Sequence, residues 1–145
     1  MGEMNQLKVF TVEEANRLLP RIVSLIEELR QKRQGILQLE VEIDALELVT
    51  VKDASGFSPA LNRRVEEYNR LVTAFYSLVD SIHETGCFLK DVEMGLVDFY
   101  SLQNGRVIYL CWKMGEPRVS FWHEVGRGFS SRQPISPVTG PKHLE

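Results

Sequence analysis

The sequence predicts an α+β fold: a long antiparallel, coiled-coil-like helical hairpin followed by a small three-stranded antiparallel sheet. Three observations carry that prediction. Apolar residues recur at alternating spacings of three and four along two long stretches. The pattern then changes to β-branched and aromatic residues beyond Gly86, and Asn104-Gly105, the strongest short hairpin signal, separates two of those runs.

The first helix starts at Phe10-Thr11-Val12-Glu13-Glu14, with Thr11 as N-cap and Glu14 as its reciprocal partner. Ala15, Leu18, Ile22, Leu25, Leu29, Lys32, Ile36, Leu39, Ile43 and Leu46 then form a heptad seam with one charged interruption. Pro20 removes a backbone donor and Gly35 lowers helix propensity, so each is a place where this helix can break. The second helix opens at Ser58-Pro59, continues through Leu61, Val65, Tyr68, Val72, Phe75, Val79 and Ile82, and ends at Gly86. The connection "TVKDASGF" is short enough to fold one helix back on the other. A helix from Val12 to about Val49 is about 55 Å long and a short strand about 20 Å, so part of the hairpin is expected to project past the sheet. Leu19, Ile26, Leu71 and Leu78 widen the apolar stripe and need cover, from the sheet or from a second copy of the chain.

In the sheet, a two-residue turn at Asn104-Gly105 pairs Gln103 with Arg106, Tyr100 with Tyr109, Phe99 with Leu110 and Asp98 with Cys111. A second turn around Met114-Gly115-Glu116-Pro117 places Trp112 opposite Arg118, Cys111 opposite Val119 and His123 opposite Val107. Alternation gives two unlike faces. Val97, Phe99, Ile108, Leu110, Trp112 and Trp122 form a core face. Asp98, Tyr100, Leu102, Val107, Tyr109, Cys111, Val119, Phe121 and His123 form a mixed polar-aromatic face, suited to a subunit interface or a ligand cleft.

These elements make one domain over residues 1–143, comprising the hairpin (11–86), the β-meander (87–125) and a Gly/Arg/Pro-rich tail (126–143). Leu144-Glu145 reads as a tag remnant. The net charge is −3, against a whole-surface nucleic-acid binder. Residues 1–98 carry 11 basic and 17 acidic side chains and residues 99–145 carry 6 and 3, so the helical part is the acidic part. No apolar run is long enough for a membrane span and no signal peptide is legible, which points to the cytoplasm and to two reduced cysteines, Cys87 and Cys111.

The candidate catalytic side chains are Asp98, Cys111, Glu116 and His123, with Arg127 and Arg132 as candidate anion-binding groups in a glycine-rich loop. In the expected register Cys111 and His123 lie about 13 Å apart on one face, and a one-residue slip puts them on opposite faces, so they are not expected to share a metal. His83 and Cys87, one helical turn apart, offer two metal ligands where a structural site wants four. No cofactor is therefore expected, and a metal is kept as the less favoured outcome.

The segments "FTVEEANRLLPRI", "GCFLKDVEMGLVDFY" and "VIYLCWKMGEPRVSFWHEVGRGFSSRQPI" resemble a family of small prokaryotic proteins, the domain-of-unknown-function family 2203. The resemblance runs from Phe10 to Ile135. It implies a shared fold and implies no reaction. The residues point first to a non-enzymatic cytoplasmic interaction or scaffold module that self-associates, as a homodimer or higher oligomer, through its helices or sheet face and engages a protein partner. The alternative is a small-molecule or metal-binding protein, or an enzyme, using the face around Asp98, Cys111 and His123. Membrane and nucleic acid are not expected partners.

Overall fold

Thr11 and Glu14 close the first helix reciprocally: the Thr11 N–H donates to Glu14 Oε1 and the Glu14 N–H donates to Thr11 Oγ1, both at 3.0 Å. The helix that follows, α1 (Val12–Val49), is unbroken over 38 residues and contains Pro20. Pro20 is exposed and costs one ladder bond in a helix that otherwise holds it on both sides. Gly35 does not break α1 either. A Cβ there would lie 3.0 Å from Leu71 Cδ1, so the missing side chain admits the neighbouring helix, α2 (Pro59–Glu84). Ser58 caps α2 by accepting from the Leu61 N–H at 3.3 Å. The computed structural model describes residues 8–50, 54, 56 and 58–135; the expected hairpin tip and the chain beyond Ile135, with its tag remnant, lie largely or wholly outside the described residues.

The described chain packs as two units. One is Glu27–Asp80; the other holds the residues up to Ile26 and from Ser81 onward. In the first, the two helices are antiparallel, with Leu29, Leu39 and Leu61 buried and with polar ties from Arg64 to Glu42 and from Tyr68 to Glu40, each 3.1 Å.

The second unit carries a five-stranded antiparallel meander in sequence order: β1 (Phe88–Asp91), β2 (Leu96–Gln103), β3 (Arg106–Lys113), β4 (Phe121–Glu124) and β5 (Gln133–Pro134). The expected three strands are β2, β3 and β4. The two added ones are short: β1 has four residues with a bulge against β2, and β5 has two, one of them Pro134 on an edge where a missing donor is tolerated. Neither is long enough to show a period of two. Asn104 and Gly105, at φ 54° and 78°, make the tight turn that sets the β2–β3 register, which runs as expected from Gln103↔Arg106 to Asp98↔Cys111. Val97, Phe99, Ile108, Leu110, Trp112 and Trp122 are all buried, and Leu19, Ile22 and Ile26 are buried in the same unit. Phe10 joins this core through an edge-to-face contact with Phe99 and through two bonds: its N–H donates to the Tyr100 carbonyl (2.8 Å) and its carbonyl accepts from Ser101 Oγ (2.6 Å).

The second hairpin departs from expectation. Cys111 pairs with Phe121 and Tyr109 with His123, two residues away from the predicted Cys111↔Val119 and Val107↔His123. The cause lies in the loop. Lys113 and Glu116 close the turn, the Trp112 indole N–H donates to the Glu116 carbonyl at 3.0 Å, and the Lys113 N–H donates to the Glu116 carboxylate at 2.9 Å. Pro117 has no N–H to pair, and the Val119 N–H donates to Asn16 Oδ1 on α1 at 2.7 Å instead of joining the ladder. Pairing therefore resumes only at Phe121. A shift of two keeps every side chain on its face but moves it along the strand.

Candidate functional site

That shift assembles a cluster. Asp98 stands opposite Cys111 on the mixed face, and His123, now opposite Tyr109, reaches across β3 to the carboxylate. His123 Nε2 lies 3.3 and 3.2 Å from Asp98 Oδ1 and Oδ2. One ligand-capable atom from each of Asp98, Cys111 and His123 lies within 4.8 Å of the other two. The expected separation of about 13 Å between Cys111 and His123 is thereby corrected, and with it the conclusion that they cannot share an ion. All three are buried, at 3%, 0% and 1% exposure.

The other ring nitrogen decides the chemistry of the histidine. His123 Nδ1 is 2.9 Å from the Glu124 carbonyl, an atom that can only accept, so Nδ1 carries the proton. Nε2 then points at the Asp98 carboxylate with either a second proton or a cation between nitrogen and oxygen. Nε2 faces Asp98, so its hydrogen bond is made to the carboxylate and not to Cys111. Burial, and next the Asp98 charge, push that thiol up to about 12, so the free side chain stays protonated at neutral pH and is a poor nucleophile. A cysteine–histidine nucleophile pair does not fit this geometry.

Residues 8–135 match the family model described as an uncharacterized conserved protein, DUF2203. The chain belongs to the DUF2203 family. No curated protein and no solved structure matches it.

Around the cluster, this DUF2203 chain builds a second layer. The Arg132 charge draws the Cys111 thiol down against burial and Asp98, and its guanidinium is gripped from three sides. Its Nη1 and Nη2 donate to Glu116 Oε1 and Oε2 at 3.1 and 2.8 Å, and its plane lies 4.1 Å from the Phe121 ring centre and 4.3 Å from that of Phe129, in the short 3₁₀ turn Phe129–Ser131. On the other side, Tyr109 lies 5.3 Å from the His123 ring and stacks on Tyr100 at 4.9 Å, with Phe88 against both. Burial, and next the hydrogen bond to Tyr100, push Tyr109 up to about 12, so it stays neutral.

The remaining sequence candidates fall elsewhere or change role. Glu116 is not beside Asp98 in the register; it reaches the cluster through Arg132. Arg127 is exposed in the turn after β4, so of the two candidate anion-binding arginines Arg132 is the one engaged here. His83 is exposed, whereas Cys87 is buried with its sulfur on the Ile82 carbonyl and Thr85 Oγ1; among the described residues they join no group of three metal-capable side chains. The Glu124 carbonyl was not legible as a site atom, because any residue in that position supplies one. A cleft of about 560 Å³, lined by Leu19, Pro20, Val23 and Trp112 with Glu116 and Arg118 as its charged residues, lies on the Trp112 side of the sheet and holds none of the cluster.

Proposed function

We propose that this DUF2203 protein binds a small charged ligand, metal ion or small molecule, on the mixed face of its sheet, and that this binding is its function. One observation carries the proposal: three buried side chains of different strands, each with an electron-donating atom, converge on one point. Burying a carboxylate, an imidazole and a thiol together costs stability that an apolar face would not, and such clusters concentrate at working sites. The test is native mass spectrometry of the full, tag-free chain against its denatured mass, with Asp98→Asn alongside. A retained mass on the wild type that the folded variant lacks is the expected result. Bare mass for both, with no ligand recovered, would remove the proposal.

A second reading is favoured by a separate observation. Leu37, Val41 and Leu48 on α1 are 47%, 64% and 86% exposed and sit at spacings of four and seven, one stripe of the helix. Self-association or partner binding through this stripe would make the helical unit an interaction module. The two readings use different units of the chain and do not compete.

A further inference from the structure

We infer that the ligand of the sheet face is a single divalent transition-metal ion, zinc by its donor set, held by Asp98 through a carboxylate oxygen, by Cys111 through Sγ and by His123 through Nε2. The inference rests on the ligand-binding function proposed above and names its ligand.

The distances leave room for an ion between the ligands. A charge-assisted N–H···O bond closes to about 2.7–2.9 Å. The His123–Asp98 contacts are longer and nearly equal, at 3.2 and 3.3 Å. A tetrahedral ion bonded at about 2.0–2.1 Å to a nitrogen and an oxygen holds those atoms about 3.3 Å apart. The donor set agrees: thiolate, imidazole and carboxylate are zinc ligands, and three protein ligands leave a fourth position for water or substrate, the pattern of a catalytic rather than a structural site. Charge agrees as well, since the ion balances the thiolate and the carboxylate.

The outer layer is the kind that orients metal ligands. The Nδ1–H to Glu124 bond presents the Nε2 lone pair to the cluster, as in metal-bound histidines generally. Arg132, whose charge acts on the Cys111 thiol, is held by Glu116 and by the rings of Phe121 and Phe129.

The experiment loads the full, tag-free chain with Zn²⁺ or Co²⁺ and measures stoichiometry, affinity and the near-ultraviolet sulfur-to-cobalt charge-transfer band. One ion per chain is expected, with the band present in wild type and in Cys87→Ala and absent in Cys111→Ser. Asp98→Asn and His123→Gln should weaken zinc by more than the about 10- to 100-fold that loss of an outer partner costs, and Arg132→Gln should fall within that range. Should a ligand variant fail to fold, the wild-type band at one equivalent, together with Cys87→Ala, still decides the matter. Folded wild type that takes up neither ion at micromolar concentration overturns the inference; a band that survives Cys111→Ser overturns the ligand set. An organic mass retained by wild type and lost in Asp98→Asn, with no uptake of either ion, would end the metal inference and leave the broader binding function standing.

Discussion

Cys87 illustrates how burial alone makes a residue inert. Its sulfur is fully enclosed, and burial raises the thiol above its ordinary value of 9.0. A raised native value means that the folded state holds the proton more tightly, so the corresponding stability is present below the ordinary thiol range and is lost as pH rises through the raised value. Native protein at pH 8 should resist iodoacetamide at Cys87 and react fully in denaturant, as read by peptide mass mapping. Glu116 makes the opposite case, a mostly shielded carboxylate with every contact used. Glu116→Ala should cost about 1–2 kcal/mol in urea unfolding, because it frees Arg132 and the Lys113 N–H together. At this scale the candidate residues were named from sequence, but their contacts were not: nothing in the chain order joins Glu116 to Arg132, sixteen positions on.

At the scale of elements, the local signals were the strongest. The Thr11–Glu14 box needs only residues three apart, and it formed as read. Thr11→Ala should lose about 1 kcal/mol, and a Thr11→Ala/Glu14→Ala double variant should lose less than the sum, since the two bonds share one cap. Gly105 sits at φ 78° with open space where a Cβ would go, so Gly105→Ala measures backbone strain alone, about 1–2 kcal/mol by thermal or urea unfolding. The Met114–Ser120 loop is the counterexample. Its length looked like a turn from Gly115 and Pro117, but Asn16, about a hundred residues earlier, takes the Val119 N–H and moves the pairing by two.

For the whole molecule, the exposed stripe of α1 provides the test of association. Leu37→Gln/Val41→Gln should leave the melting temperature nearly unchanged, because both side chains are exposed. If the stripe holds copies together, the double variant should sediment at a lower mass than wild type at the same concentration. Equal masses would leave the stripe without a role in self-association. This measurement is independent of the sheet face, as the stripe belongs to the Glu27–Asp80 unit and the cluster to the other.

Sequence by itself determined what depends on near neighbours and on period: two capped helices, the Asn104-Gly105 hairpin, and which side chains share a face of β2, β3 and β4. Those follow from the 3.6- and 2-residue repeats and from turn chemistry, all local. Tertiary structure decided where along a face the side chains meet. A two-residue shift is invisible to a period of two, so the pattern that placed Cys111 and His123 on one face was silent about distance, and a hydrogen bond from a remote helix residue supplied the answer.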